Sequence, residues 1–332
     1  MKVFVTGGAG FLGKAIIKQL LKENHEIISY SRNNYPELER MGVTHSKGDL
    51  SDLATLKKAI KGCDVVFHVA AKASYWGDYQ DFYSTNVLGT ENIIQACKDE
   101  NISKLIYTSS PSVVHNGVGI EGKNEEQLPY PEHFEAYYPQ TKAIAEKKIL
   151  EANSDTLATV ALRPHLIWGP EDPHFFTRIN KRARAGKLFL IGDNNPLVDC
   201  VYIDNAASAH LLAMKKLDIR SSIAGKAYFI TQDKQIGIND FINMHVKAGG
   251  LPEVNKKIPA GLAYFVGTVF ETFYKFFDIK SEPRLTLFLA KQLSTPHWFD
   301  ISAAKRDLGY VPEISTEEGY KRLKEWADNQ HI

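Results

Sequence analysis

A chain of 332 residues, 44% hydrophobic and 24% charged, holds enough apolar material for one large core or a core with a smaller lobe. Its formal net charge of +1 gives no overall field for nucleic acid or strongly acidic partners. Cys63, Cys97 and Cys200 are scattered and form no Cys-x-x-Cys, which argues against a disulfide framework or a zinc site and fits a reducing, cytoplasmic compartment. The apolar N-terminal run is short and broken by glycines, unlike a signal peptide. The longest uncharged apolar stretch, 258–270, falls short of the ~20 residues of a membrane span.

Val3–Val5 reads as a first strand. Lys14–Lys22 reads as a helix with Ile16, Ile17, Leu20 and Leu21 on one face. Strands are then expected over Glu26–Tyr30, Asp64–Val69, Lys104–Thr108 and Thr159–Leu162, and helices over Leu53–Ile60, Asn86–Lys98 and Tyr138–Ala152. The run 64–69 is almost uniformly apolar, as in a strand buried on both faces. Strands alternating with helices predict βαβ units, hence an α/β fold with a doubly wound parallel sheet. After Pro164 the pattern becomes irregular, with a strand-like segment over Asp199–Ile203 and a helix over Asn205–Lys215. Residues 1–165 are therefore read as a dinucleotide-binding Rossmann-type domain to which 198–230 returns. Residues 166–197 and 231–332 are read as a smaller, mostly helical substrate lobe.

The glycine run that opens the first helix, Thr6 to Gly13, carries the strongest local signal. Gly8, Gly10 and Gly13 satisfy G-x-G-x-x-G, and Gly7, Gly10 and Gly13 satisfy G-x-x-G-x-x-G. Glycines allow close approach of backbone to a pyrophosphate, and the helix N-terminus offers it unpaired N–H groups. NAD-binding chains place an acid near the end of the second strand to hold the ribose 2′-hydroxyl. Here that position reads Ser31-Arg32, a hydroxyl and a guanidinium suited to a 2′-phosphate. NADPH is therefore the preferred cofactor, with NADH as the alternative. Asp49 precedes a helix, where a contact to the adenine and an ordinary turn carboxylate both fit the spacing. Ala70 and Ala71 end the 64–69 run and let a cofactor pass close to the backbone.

Tyr138 and Lys142 lie four residues apart and so share one helix face. A tyrosine is a weak acid near neutral pH, with a pKa of about 10, and a nearby cation favours its phenolate. The strand over 104–108 runs into Ser109 and Ser110 on the same edge. Either serine could hold a substrate oxygen; Ser110 is preferred. Tyr137 adjoins Tyr138 but lacks the spacing to a lysine.

Six segments in order, Thr6–Gly13, His68–Ala71, Asn86–Thr90, Thr108–Ser110, Tyr138–Lys142 and Leu162–Pro164, resemble the extended short-chain dehydrogenase/reductase superfamily over nearly the whole chain. Segments 107–114, 162–170 and 298–305 resemble its 3β-hydroxysteroid dehydrogenase-type branch, including bacterial members that reduce 3-oxo acids in long-chain olefin biosynthesis. The resemblance implies that Tyr138 is the acid/base, that Lys142 lowers its pKa and binds the nicotinamide ribose, and that Ser110 holds the substrate oxygen. It implies a cofactor site formed by Gly7, Gly10, Phe11, Leu12, Gly13, Ser31, Arg32, Asp49, Leu50, Ala70, Ala71, Asn86, Thr108, Tyr138, Lys142 and Pro164.

Residues 260–280 are rich in aromatics, and Leu262, Phe265, Val266, Val269, Phe273, Phe276 and Phe277 recur at helical spacing. A core-facing helix, the wall of a large apolar pocket and an interfacial helix at a membrane all fit this pattern. Each suits a hydrophobic small-molecule substrate. His165, Trp168 and His174 are further candidates for the pocket wall, without metal-ligand spacing. The expected activity is NADPH-dependent reduction of the 3-keto group of a long-chain 2-alkyl-3-oxoalkanoic acid. NAD-dependent 3β-hydroxysteroid or sterol-carboxylate dehydrogenation, nucleotide-sugar epimerisation or dehydration, and non-catalytic cofactor sensing are the rivals. Expected partners, besides the substrate, are a peripheral membrane contact at the inner face and a homodimer or an assembly with other olefin-pathway enzymes.

Overall fold

The computed structural model describes residues 1–330. Seven strands, β1 (Lys2–Thr6), β2 (Glu26–Ser31), β3 (Thr44–Lys47), β4 (Val65–His68), β5 (Lys104–Thr108), β6 (Ala158–Pro164) and β7 (Lys226–Ile230), form one sheet in the order 7-6-5-4-1-2-3. Every pairing in it is parallel. The direction of winding reverses between β1 and β4, where Thr6 lies beside His68. In open α/β sheets that reversal marks the ligand crevice at the carboxyl ends of the strands.

The central strands are apolar on both sides because helices cover both faces. On one face α1 (Phe11–Lys22) packs beside the later helix over Ile203–Lys216. Ile16, Ile17 and Leu20 meet Val3, Val5 and Ala206 there. On the other face lie α2 (Leu53–Ile60), α3 (Gly89–Asp99) and α4 (Tyr137–Glu151), with Leu56, Ile60, Ile93 and Ile149 packed near Phe4, Val66 and Leu105. The remaining α-helices of six or more residues are α5 (Phe175–Arg184), α6 (Ile203–Lys216), α7 (Ile238–Ala248), α8 (Ala260–Phe276), α9 (Leu287–Gln292) and α10 (Thr316–Asn329) among the described residues. Of these, α5, α7, α8 and α9 contribute walls to the crevice at the carboxyl end of the sheet, and α10 packs on α7.

Three local expectations change. The edge strand β3 has no counterpart in the sequence reading, because its four residues, Thr-His-Ser-Lys, are polar and only partly buried. The helix expected from Asn86 begins earlier, at Tyr79, and passes through a π-helical turn over Tyr83–Leu88 before it runs into α3. Of the segment 199–203 only Val201–Tyr202 is strand, a separate strand at Leu197–Val198 precedes it, and α6 starts at Ile203.

The largest change concerns α8. A core-facing aromatic stripe is not what forms. Only Ala263 and Gly267 of this helix are buried, because the backbone at Thr286 and Leu287 presses against Gly267; a Cβ there would lie 2.8 Å from the Leu287 nitrogen. The contact admits only small side chains, so the aromatics are displaced to either side. Leu262, Val266 and Phe270 face an internal cavity. Phe265, Val269, Phe273 and Phe276 are exposed, as is Phe277 just after the helix.

Candidate active site

A cavity of about 970 Å³ runs along the carboxyl edge of the sheet from the glycine loop to α8. One end is built by the loop between β1 and α1. Gly7 adopts φ +69°, and a Cβ on it would lie 2.9 Å from the Ala70 backbone. A Cβ on Gly13 would lie 2.2 Å from the Gly7 carbonyl oxygen. Glycine at these two positions therefore lets β1, the end of β4 and the start of α1 close on one another. Gly10 caps α1 without a side-chain hydrogen bond, and the first turn carries no acid. Its N–H groups remain free to receive an anion, and Gly10, Phe11, Leu12 and Gly13 line the cavity there. These features fit the pyrophosphate of a dinucleotide.

Ser31, Arg32, Asp49, Leu50, Ala70, Ala71, Thr108 and Pro164 line the same cavity. The Ser31 hydroxyl donates to the Asn33 carbonyl at 3.1 Å. Asp49 accepts from the Ser51 N–H at 2.9 Å and from the Ser51 hydroxyl at 2.8 Å. Those bonds, chiefly the backbone one, hold the Asp49 carboxyl below its usual range, with Arg32 adding attraction. Asn86 is the exception among the expected cofactor residues: it does not line the cavity. Its Oδ1 accepts from the Lys72 N–H at 2.7 Å and its Nδ2 donates to the Thr141 hydroxyl at 3.0 Å. Asn86 thus ties the segment after β4 to α4 and acts on the site through backbone position.

The chemistry lies where β5 ends and α4 begins. Ser109, Ser110, Tyr138 and Lys142 all line the cavity. Tyr138 is packed edge-on against Tyr75, with ring centroids 6.4 Å apart. Burial pushes its phenol up to about 12, Tyr75 adds to this, and a hydrogen bond with Ser110 opposes it. This corrects the expectation that Lys142 lowers the Tyr138 pKa. The Lys142 ammonium instead donates to the Thr108 carbonyl at 2.6 Å and sits 4.0 Å from the centre of the Tyr107 ring. Burial pushes Lys142 down to about 7, opposed by the Glu146 carboxylate one turn further along α4.

Glu146 is itself fully buried and receives Arg163 Nε at 3.0 Å, Arg163 Nη2 at 2.6 Å and the Tyr130 hydroxyl at 2.6 Å. Burial alone would raise its pKa, but the Arg163 charge and these bonds outweigh burial and lower it. Lys142 is thereby backed by an anion that stays ionised. Tyr137, by contrast, is 41% exposed and packs on Tyr79, away from the lysine.

Beyond Tyr138 the cavity becomes aromatic and apolar. His165 and His174 line it, whereas Trp168 is buried against Tyr202 and does not. Tyr75, His115, Phe288 and His297 line it as well and were missed from sequence. Tyr75 and His115 lie in loops, Phe288 in the six-residue helix α9 and His297 on a three-residue strand, all too short or irregular for periodicity to mark them. Only the positions of His115 and His297, next to the segments 107–114 and 298–305, offered a signal. The His297 Nε2 N–H donates to the Gln292 carbonyl at 2.8 Å, and the His297 Nδ1 accepts from His165 Nε2 at 3.2 Å. Burial holds His297 down to about 4, so this chain is neutral near pH 7.

A parallel doubly wound sheet with an uncapped glycine loop and a serine, tyrosine and lysine at the adjacent strand end defines an NAD(P)-dependent oxidoreductase of the extended short-chain dehydrogenase/reductase type. The chain belongs to the 3-beta hydroxysteroid dehydrogenase/isomerase family, whose profile matches residues 4–260. It is 47% identical over 325 residues to the 2-alkyl-3-oxoalkanoate reductase of Stenotrophomonas maltophilia, covering 98% of each chain. It is 49% identical over 329 residues to a protein of the same name from Shewanella oneidensis, covering 97% of this chain and 85% of the relative. The fold matches the UDP-glucose 4-epimerase of Thermotoga maritima with a TM-score of 0.78 at 21% identity, over 100% of both chains.

Proposed function

We propose that the protein reduces the 3-keto group of a long-chain 2-alkyl-3-oxoalkanoic acid to the 3-hydroxy acid, with NADPH as reductant and Tyr138 as proton donor. The observation that carries this reading is the junction at Tyr138. There a buried phenol in contact with Ser110 stands between the dinucleotide end of the cavity and an aliphatic and aromatic end lined by Val266, Phe270 and Phe288.

The bound cofactor would supply the hydride to the carbonyl carbon. Ser110 holds the carbonyl oxygen as charge develops on it. Tyr138, whose raised pKa keeps it protonated at neutral pH, gives that oxygen its proton. Lys142, on the Thr108 carbonyl at the cofactor side of the cavity, would hold the nicotinamide ribose, and the ionised Glu146 favours its charged form. Ser31 and Arg32 line the cavity beyond the glycine loop, where they would receive a 2′-phosphate.

Among the described residues no helix is long and apolar enough to cross a membrane. A peripheral membrane contact belongs to the same proposal. The test of the reaction is NADPH oxidation followed against 3-oxo acids of graded chain length, with steroids and a UDP-sugar as controls. Rates rising with chain length support the reading. Turnover of steroids with NAD and none of 3-oxo acids would refute it.

A further inference from the structure

The residues that line the cavity and are also exposed mark two openings: Arg32, Asn33 and Asp49 at the dinucleotide end and, at a mouth beyond Tyr138, Phe189 and Leu262, 42% and 49% exposed, together with Lys187 and Arg284. Large apolar side chains at an opening are costly to keep in water, so this rim requires an account. The outward face of α8 extends the same apolar surface through Phe265, Val269, Phe273 and Phe276, which are 67%, 45%, 50% and 81% exposed.

The charge around this mouth is unlike that of the whole chain. Overall the formal net charge is only +1, yet residues 178–192 carry five cations and no acid. Arg178 is neutralised by Glu282 through two bonds of 3.0 and 2.6 Å. The other cations of the rim, Arg182, Arg184, Lys187, Lys256, Lys257 and Arg284, make no carboxylate ion pair among the described residues. The fold brings them together. Leu190–Ile191 pairs in parallel with Lys257–Ile258, setting Lys256 and Lys257 beside Phe189. Arg182 Nη2 donates to the Arg284 carbonyl at 2.9 Å, joining α5 to the segment before α9.

We infer that this face docks on an anionic lipid bilayer, with the exposed side of α8 entering the headgroup region, the cationic rim meeting lipid phosphates, and the cavity mouth opening toward the acyl chains. Exposed aromatics flanked by unneutralised cations are the pattern of an interfacial helix. The inner side of α8 supplies Leu262, Val266 and Phe270 to the cavity wall, so one helix separates the bilayer from the active site. The direction of transfer rests on the long-chain reading of the substrate; the docking itself does not. A second copy of the chain is the weaker occupant, because two such cationic rims would repel each other.

The experiment is co-flotation of the full chain with vesicles of phosphatidylcholine and phosphatidylglycerol, and with vesicles of phosphatidylcholine alone. Lys256→Glu with Lys257→Glu tests the charge, and Phe265→Ser with Phe276→Ser tests the apolar face. None of these four residues lines the cavity, so reduction of a short, water-soluble 3-oxo acid checks that each variant is folded. The wild type is expected to float with the anionic vesicles and to be released by salt. Each cation contributes roughly fivefold to partitioning, so the lysine pair lowers it by well over tenfold on reversal. The phenylalanine pair lowers binding to both vesicle types. No flotation of the wild type, or loss of self-association rather than of vesicle binding in the phenylalanine variant, overturns the inference. Vesicle binding by a protein inert toward 3-oxo acids would sink the proposed reaction and leave the docking standing.

Discussion

Glu146→Gln removes the anion behind Lys142 while keeping its shape. In the native chain the Glu146 and Arg163 side chains are 0% and 5% exposed, so the guanidinium has almost no access to water. The substitution leaves that charge buried without a counter-ion, which costs about 3–5 kcal/mol. At ~2 °C per kcal/mol, the low end for large domains, the melting temperature should fall by roughly 6–10 °C. Calorimetry or circular dichroism measures this. A second effect follows at the site. Glu146 is the group that opposes the burial-driven fall of the Lys142 pKa, so its loss moves Lys142 further toward the neutral amine. Turnover near neutral pH should drop, and should fall further as pH rises, because fewer molecules carry the ammonium. Replacing both partners, as Glu146→Leu with Arg163→Met, should recover much of the stability, since an apolar pair of similar volume tolerates burial. A melting temperature within ~2 °C of wild type for Glu146→Gln would refute the reasoning.

Two further outcomes follow from the same structure. Arg32→Glu should lower the preference for NADPH over NADH by about 10–100-fold, the worth of a charge-assisted contact, and equal kcat/KM ratios in variant and wild type would remove Arg32 from the cofactor site. Stability should fall as pH drops from about 6.5 toward 4. Burial depresses His68 to about 3 and His115, His210, His245 and His297 to about 4, so over that window the unfolded chain binds more protons than the folded one. Each contributes up to ~1.4 kcal/mol per pH unit, and urea midpoints unchanged across the window would contradict their burial as neutral groups.

What could be read from sequence was what has a local physical signature. The central strands are apolar on both faces, and glycines recur where β1, β4 and α1 approach within Cβ contact. Tyr138 and Lys142 are fixed by helical spacing. What could not be read depends on contacts between distant segments. Lys142 has its ammonium on the Thr108 carbonyl rather than beside the phenol, and no spacing rule reports that. Asn86 carried the right motif but is turned toward Lys72 and Thr141. The stripe on α8 has a clear helical period, yet period alone does not say which side faces protein. That is decided by the close approach of Thr286 and Leu287 to Gly267. Tyr75 and His115 come from two loops and His297 from a short strand, and they meet only in the folded chain.

The central claim is that Tyr138 moves the proton in a carbonyl reduction. Tyr138→Phe keeps the ring against Tyr75 and removes only the hydroxyl. The decisive measurement pairs NADPH binding, by cofactor fluorescence, with steady-state reduction of a long-chain 3-oxo acid. Binding should be retained while kcat falls by about 10²–10⁴-fold. Retained binding with undiminished kcat would contradict the account.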